Sequence, residues 1–194
     1  MVVGLGNPGP DYQETRHNAG FWFLDRWAGI QELSFRKAWF RPYLFCHRLI
    51  GRDTLVLVKP LTNVNRSGTI FGTLLTAFKA VPDDLLVVFD QMDLAPGRVR
   101  MKPHGSTAGH NGLRSIDAAL GGDRYHRLAI GVGRPVLAGG VIDHVLGTLP
   151  AGQRLAVDAA VEKAALRADA QWREGWEALI HAVNQRDPEI SQDA

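Results

Sequence analysis

Few side chains in this sequence carry chemistry, and their positions are informative. His17 stands in Thr15-Arg16-His17-Asn18-Ala19-Gly20, after a glycine-rich loop and just before an apolar helical face. A histidine there either caps the helix or acts as a base, and strand ends are where α/β proteins carry their sites. Asp90 closes the uninterrupted apolar run Leu85-Leu86-Val87-Val88-Phe89. A carboxylate at that point can accept the Nδ1 proton of a histidine, which fixes the tautomer and raises the basicity of the ring. Asp93, before Leu94-Ala95-Pro96-Gly97, reads more simply as a cap of the next turn.

Gly4-Leu5-Gly6-Asn7-Pro8-Gly9 matches G-x-G-x-x-G after a strand, with Asp25 where a ribose-binding acid could lie. The dinucleotide reading fails on context. That fingerprint opens a helix inside its glycines, so that the helix N-terminus faces pyrophosphate. Here Pro8, Gly9 and Pro10 lead into a polar stretch, and the first apolar face begins near Phe21. What the small residues do permit is close approach of the backbone and of the Asn7 amide to a ligand. Asn65, in Asn63-Val64-Asn65-Arg66-Ser67-Gly68, and Asn111, in Gly109-His110-Asn111-Gly112, could each cap the helix that follows. Their amides could equally bind a peptide or a ribose, having both donors and an acceptor. His110 is ambiguous. Cys46 and His47 are adjacent and point to opposite faces of a strand, so they do not form a dyad.

The elements that must position these groups follow from periodicity. Residues 2–5 read as a buried strand, and 19–27 as a helix carrying Phe21, Trp22, Leu24 and Trp27. Two β-like stretches follow at 39–49 and 54–58, then a helix over 67–78 with Ile70, Phe71, Leu74, Leu75 and Phe78 on one face. The run at 85–89 is that of a central strand covered on both faces. Strands at 98–102 and 128–132 flank a helix at 113–120, and 153–184 reads as helical with a break near Gly175. Strands alternating with helices predict an α/β fold, a single domain with a mixed, mostly parallel twisted sheet flanked by helices. The domain is expected over 1–186, with a polar tail at 187–194.

Composition excludes several classes. The chain has 194 residues, 45% hydrophobic and 22% charged, which is globular and not disordered. No apolar run approaches the roughly 18 residues of a membrane span, and no signal peptide is expected. One cysteine fits a reducing compartment. With no CxxC pair and no HExxH, a structural or protease-type zinc site is not expected. The net charge of +2 conceals an asymmetry. From 95 to 135 there are seven Lys or Arg (98, 100, 102, 114, 124, 127, 134) against Asp117 and Asp123, whereas from 158 on four bases face eight acids. The basic middle is either a patch for a polyanion or a merely solvated face.

Taken together, these segments resemble the bacterial-type peptidyl-tRNA hydrolases. Residues 4–9, 15–20, Asn65-Arg66-Ser67-Gly68, the stretch from Asp90 to Gly97, Gly109 to Leu113, and Gly131-Val132-Gly133-Arg134-Pro135 stand in that family's order. The resemblance spans the chain from Val2 to about Asn184. It implies a monomeric cytoplasmic esterase, without metal or cofactor, that frees tRNA from peptides dropped by stalled ribosomes. By the same resemblance His17 is the general base and Asp90 the carboxylate that keeps it basic. Asn7 matches the residue that separates peptidyl-tRNA from unblocked aminoacyl-tRNA. Tyr12, Asn63, Asn65 and Asn111 match contacts to the peptide and the 3′-terminal nucleotide, and Lys102 matches a contact to the tRNA 5′-phosphate. The implied partner is peptidyl-tRNA at its 3′ CCA end and acceptor stem, with no membrane. A positioned base supplies roughly 10²–10⁴ in rate, enough with oxyanion donors for an ester.

Three positions depart from the family pattern. An aromatic and a methionine usually precede Asn65, where this chain has Asn63 and Val64. The glycine pair before the histidine of the GHNG motif is Ala108-Gly109, and Arg-Leu-Arg-Ile-Gly is replaced by Arg127-Leu128-Ala129-Ile130-Gly131. The missing arginine at 129 leads us to expect phosphate binding shared among Arg100, Lys102 and Arg127. Two other functions stand beside the esterase. One is a non-catalytic RNA-binding relative, since the fold also serves as a splicing cofactor in some plant plastids; His17, Asp90 and Asn7 argue against it. The other is a nucleotide-dependent oxidoreductase, which tight retention of NADPH would favour.

Overall fold

The computed structural model describes residues 1–135 and 140–185, so the expected tail lies outside the described residues. Among the described residues seven strands form one sheet: β1 (Val2–Gly4), β2 (Arg36–Lys37), β3 (Tyr43–Ile50), β4 (Asp53–Pro60), β5 (Leu86–Gln91), β6 (Val99–Lys102) and β7 (His126–Gly131). Their order is β2-β3-β4-β1-β5-β7-β6. Strands β4, β1, β5 and β7 run parallel, while β3 and β6 pair antiparallel with β4 and β7. The sheet is mixed and mostly parallel, as its strand pattern predicts.

The continuous apolar run of β5 is explained by cover on both faces. Leu86 and Val88 join a core layer with Phe23, Leu24 and Trp27 of α1 (Ala19–Ile30) and Val157, Val161 and Ala165 of α5 (Ala151–Gln171). Val87 and Phe89 join the opposite layer with Phe71 and Leu74 of α2 (Phe71–Phe78) and Leu113 and Ile116 of α3 (Asn111–Leu120). A strand alternates its side chains, so only a residue run without polar gaps satisfies two such layers. Val141–Leu146 forms α4, and α6 (Trp176–Asn184) follows α5 after the break at Gly175, whose φ is 96°. Among the described residues no helix is long and apolar enough to cross a membrane.

Three expected elements change shape. The helix expected over 67–78 is a 3-10 helix (Val64–Ile70) leading into α2, because Gly68 lies against α3. A Cβ at Gly68 would come within 1.9 Å of the Ser115 carbonyl oxygen. Helix α3 begins at Asn111 rather than 113, and its cap is His110, whose ring accepts the Leu113 N–H. Asn111 is therefore no cap. The β-like stretch at 39–49 begins only at Tyr43, since residues 38–42 turn the chain between β2 and β3.

Candidate active site

The loops leaving β1 and β5 meet at the carboxyl edge of the sheet, where ligands bind in open α/β folds. The first loop is short and braced. Two 3-10 turns, Pro10–Tyr12 and Arg16–Asn18, deliver His17 to the start of α1. No helix opens among the glycines, which agrees with discarding the dinucleotide reading, and Asp25 pairs with Lys59. The Trp22 indole N–H donates to the Gln13 carbonyl at 2.7 Å, and the Arg16 guanidinium donates to the His144 carbonyl at 3.0 Å, tying the loop to α4.

His17 and Asp90 come together across 73 residues of sequence. His17 Nδ1 lies 2.7 Å from Asp90 Oδ1, and His110 Nε2 lies 3.0 Å from the same oxygen. The tautomers follow from the partners. His110 Nδ1 accepts the Leu113 N–H at 3.3 Å, so its proton sits on Nε2 and is donated to Asp90. His17 donates from Nδ1, which leaves Nε2 as the basic nitrogen. Burial opposes protonation of His17, and the Asp90 charge with its hydrogen bond outweighs that, so the pKa is raised. Burial would push Asp90 up; the two histidines outweigh it, and the carboxyl is held well below the usual carboxylate range. The role of His110 is not readable from sequence, where it is ambiguous; the structure makes it both the cap of α3 and a donor to Asp90.

Asn7 is fixed by a second asparagine. The Asn18 side chain accepts the Asn7 N–H at 2.8 Å and donates to the Asn7 carbonyl at 3.0 Å. Asn7 Oδ1 in turn accepts the Val64 N–H at 2.9 Å. The part of the amide left for a ligand is the Nδ2 donor. Asn18 was visible only as part of the motif after His17; its clasp needs the loop to fold back. Val64 is buried beneath Gly112, and Asn63, Asn65 and Asn111 on either side are exposed. Tyr12, 36% exposed, ends the first 3-10 turn.

The charged candidates separate. Lys102 pairs in register with Arg127, which pairs with Val87, three residues before Asp90. It thus lies about 10 Å along and about 10 Å across the strands from Asp90. Arg127 is not available to a phosphate: it is 4% exposed, donates to the Ser106 carbonyl and to Asp117, and stacks on Tyr125. The expectation that it shares phosphate binding is corrected accordingly. Arg124 and Arg134 are also compensated, by Asp83 and Asp93. The Asp93 carboxylate, expected to cap the next turn, instead pairs with Arg134.

His17, Asp90 and His110 each offer a ligand atom within 4.8 Å of the others, as a metal site would. Both contacts of Asp90 Oδ1 are already hydrogen bonds that fix the tautomers, so a metal would have to displace a ring proton to enter. What the arrangement does chemically is hold one histidine nitrogen basic at a strand end.

An open α/β sheet with a carboxylate-tuned histidine on its carboxyl edge defines a protein equipped for proton transfer at a bound substrate. Residues 1–191 match the family model described as peptidyl-tRNA hydrolase. The peptidyl-tRNA hydrolase of Enterococcus faecalis is 44% identical over 165 residues, covering 85% of this chain and 87% of that protein. That of Syntrophomonas wolfei is 41% identical over 184 residues, covering 95% and 99%. The crystal structure of peptidyl-tRNA hydrolase from Acinetobacter baumannii superposes with a TM-score of 0.89 at 33% identity, covering 96% of this chain and 95% of that one. The chain belongs to the peptidyl-tRNA hydrolase family and is an enzyme of that activity.

Proposed function

We propose that the enzyme hydrolyses the ester of peptidyl-tRNA by general base catalysis at His17, and so recycles tRNA from stalled or aborted translation. The observation that carries this reading is the 2.7 Å contact between His17 Nδ1 and Asp90 Oδ1. It leaves Nε2 to take a proton from water as the water attacks the ester carbonyl. Asp90 then stabilises the imidazolium, and the proton passes to the departing ribose hydroxyl. The bond formed is carbonyl carbon to water oxygen; the bond broken is carbonyl carbon to ribose oxygen. No cofactor enters this scheme. Asn7 Nδ2 offers a donor suited to the substrate's acylated end and unsuited to a free ammonium. Asn65, Asn111, Asn63 and Tyr12 contact the peptide and the 3′-terminal nucleotide, and Lys102 meets the acceptor stem. The enzyme acts as a monomer in the cytoplasm, where its substrate arises.

Release of N-acetyl-amino acid from charged tRNA tests the reading. His17→Ala should lower kcat by about 10²-fold or more and leave tRNA affinity within about twofold, since the base acts on water and not on phosphates. Full activity in that variant would sink the assignment.

A further inference from the structure

We propose that the turn joining β2 and β3 is an RNA contact, in which Trp39 and Phe40 stack on unpaired nucleotides of the substrate's 3′ end. Trp39 is 83% and Phe40 92% exposed, side by side with ring centroids 5.8 Å apart. Phe40 adopts φ 54°, the left-handed region that bulky residues avoid, so the ring is held out at a local cost. The surroundings are cationic. Residues 33–52 contain Arg36, Lys37, Arg41, Arg48 and Arg52 and no acid. Arg36, Lys37 and Arg41 are exposed, and no carboxylate pairs with them among the described residues.

The turn stands on the edge of the sheet that holds the histidine pair. Tyr43, at the start of β3, lies opposite Pro60, the last residue of β4, and β4 runs parallel to β1 and β5. Three strand spacings, about 14 Å, separate β3 from β5. The space between is not filled. Lys37 pairs with Leu44, and Leu44 with Lys59, so the three share a sheet face. Leu44 and Lys59 line a cleft of about 880 Å³ whose wall also includes Phe21 and Asn7. A strand lying from the turn to Asn7 would start among exposed rings and unpaired cations and then enter a cleft whose acids, Asp25, Glu14, Asp158 and Glu162, are held by Lys59, Arg154 and Arg26.

Bases have a π-face and their backbone is anionic, which is the complement of exposed rings set among unpaired cations. A second copy of the chain suits the surface poorly, because a two-fold contact would bring these cations against themselves.

The test uses the full chain with Trp39→Ala/Phe40→Ala and, separately, Arg36→Gln/Lys37→Gln/Arg41→Gln, all at exposed positions. Binding of labelled tRNA is followed by anisotropy over a range of salt, with an intact CCA end and with that end trimmed away. The aromatic variant should lose about tenfold in affinity for intact tRNA and nothing for trimmed tRNA. The charge variant should flatten the dependence of log K on log salt by about 2, at about 0.7 per phosphate. In hydrolysis both should raise KM and keep kcat within about twofold. Wild-type binding by both variants overturns the proposal. So does equal loss on trimmed and intact tRNA, a variant-dependent change in sedimentation mass, or variant-sensitive binding to anionic phospholipid vesicles that tRNA does not compete. The proposal rests on the substrate being a tRNA ester. A wild-type chain that binds CCA-ended tRNA through this turn yet hydrolyses no ester would overturn that reading alone; hydrolysis with unaffected variants would overturn only the turn.

Discussion

A buried carboxylate that receives two imidazoles on one oxygen cannot turn away from either, so Asp90 sets both the tautomer and the direction of His17. The base must be neutral to accept a proton. kcat/KM should therefore rise with pH along a limb centred above the ordinary histidine value, because the net shift of His17 is upward. Asp90→Asn removes the charge that raises it and leaves the burial that lowers it. The limb should move to lower pH while the plateau falls about 10²-fold or more; pH–rate profiles of both proteins check this, and an unmoved limb would remove Asp90 as the origin of the shift. Asn7 makes a different case. Its Oδ1 holds the Val64 N–H, a bond that Asn7→Asp can keep while Nδ2 becomes an acceptor. Turnover of unblocked relative to acetylated aminoacyl-tRNA should then rise about tenfold, the worth of one charge-assisted bond. An unchanged ratio would take Asn7 out of this role.

At the level of elements, His17 is placed by how closely α1 can approach the sheet. A Cβ on Gly20 would come within 2.5 Å of Leu5 N, Leu5 O and Val88 O, all of them backbone. None of these atoms can rotate aside, so only glycine allows the first turn of α1 to rest on β1 and β5. Gly20→Ala should lift the helix, at a cost of about 1–3 kcal/mol or more, and carry His17 away from Asp90. Thermal melts and kcat together check it, with both expected to fall; a stable and fully active variant would show that the helix has room. Helix α3 works in the same way from the other side. Its capping residue, His110, ties the helix start to Asp90.

Across the whole molecule, charge is distributed differently from its distribution along the chain. Of the basic residues from 95 to 135, Arg124, Arg127 and Arg134 pair with Asp83, Asp117 and Asp93. Arg100 and Lys102 remain exposed on the edge strand β6. Ala129 lies directly opposite Arg100, and Lys102 offers a phosphate only a point charge. With Arg127 committed elsewhere, the proposed reading leaves a 5′-phosphate of tRNA a weak site. Ala129→Arg should raise kcat/KM on 5′-phosphorylated substrate about tenfold. Removing the 5′-phosphate should cost the wild-type protein less than that. A larger loss on dephosphorylation would reveal a strong clamp elsewhere.

Much of this was legible in one dimension. The double-faced β5, the helix at Ala19, the break at Gly175 and the placing of His17 and Asp90 at strand ends all follow from short-range periodicity and spacing, which are properties of consecutive residues. The motif order identified the family for the same reason. Tertiary structure alone decided which long-range partners meet. The adjacency of β1 and β5 turned a separation of 73 residues into a 2.7 Å contact, and α3 brought His110 to the same oxygen. Asn18 reaches Asn7 only because the loop between them folds back. Arg127, read along the chain, looks like a free cation, and in the fold it is buried against Tyr125 and Asp117. A charge's availability depends on what packs over it and which acid arrives beside it, and neither is a local property of sequence.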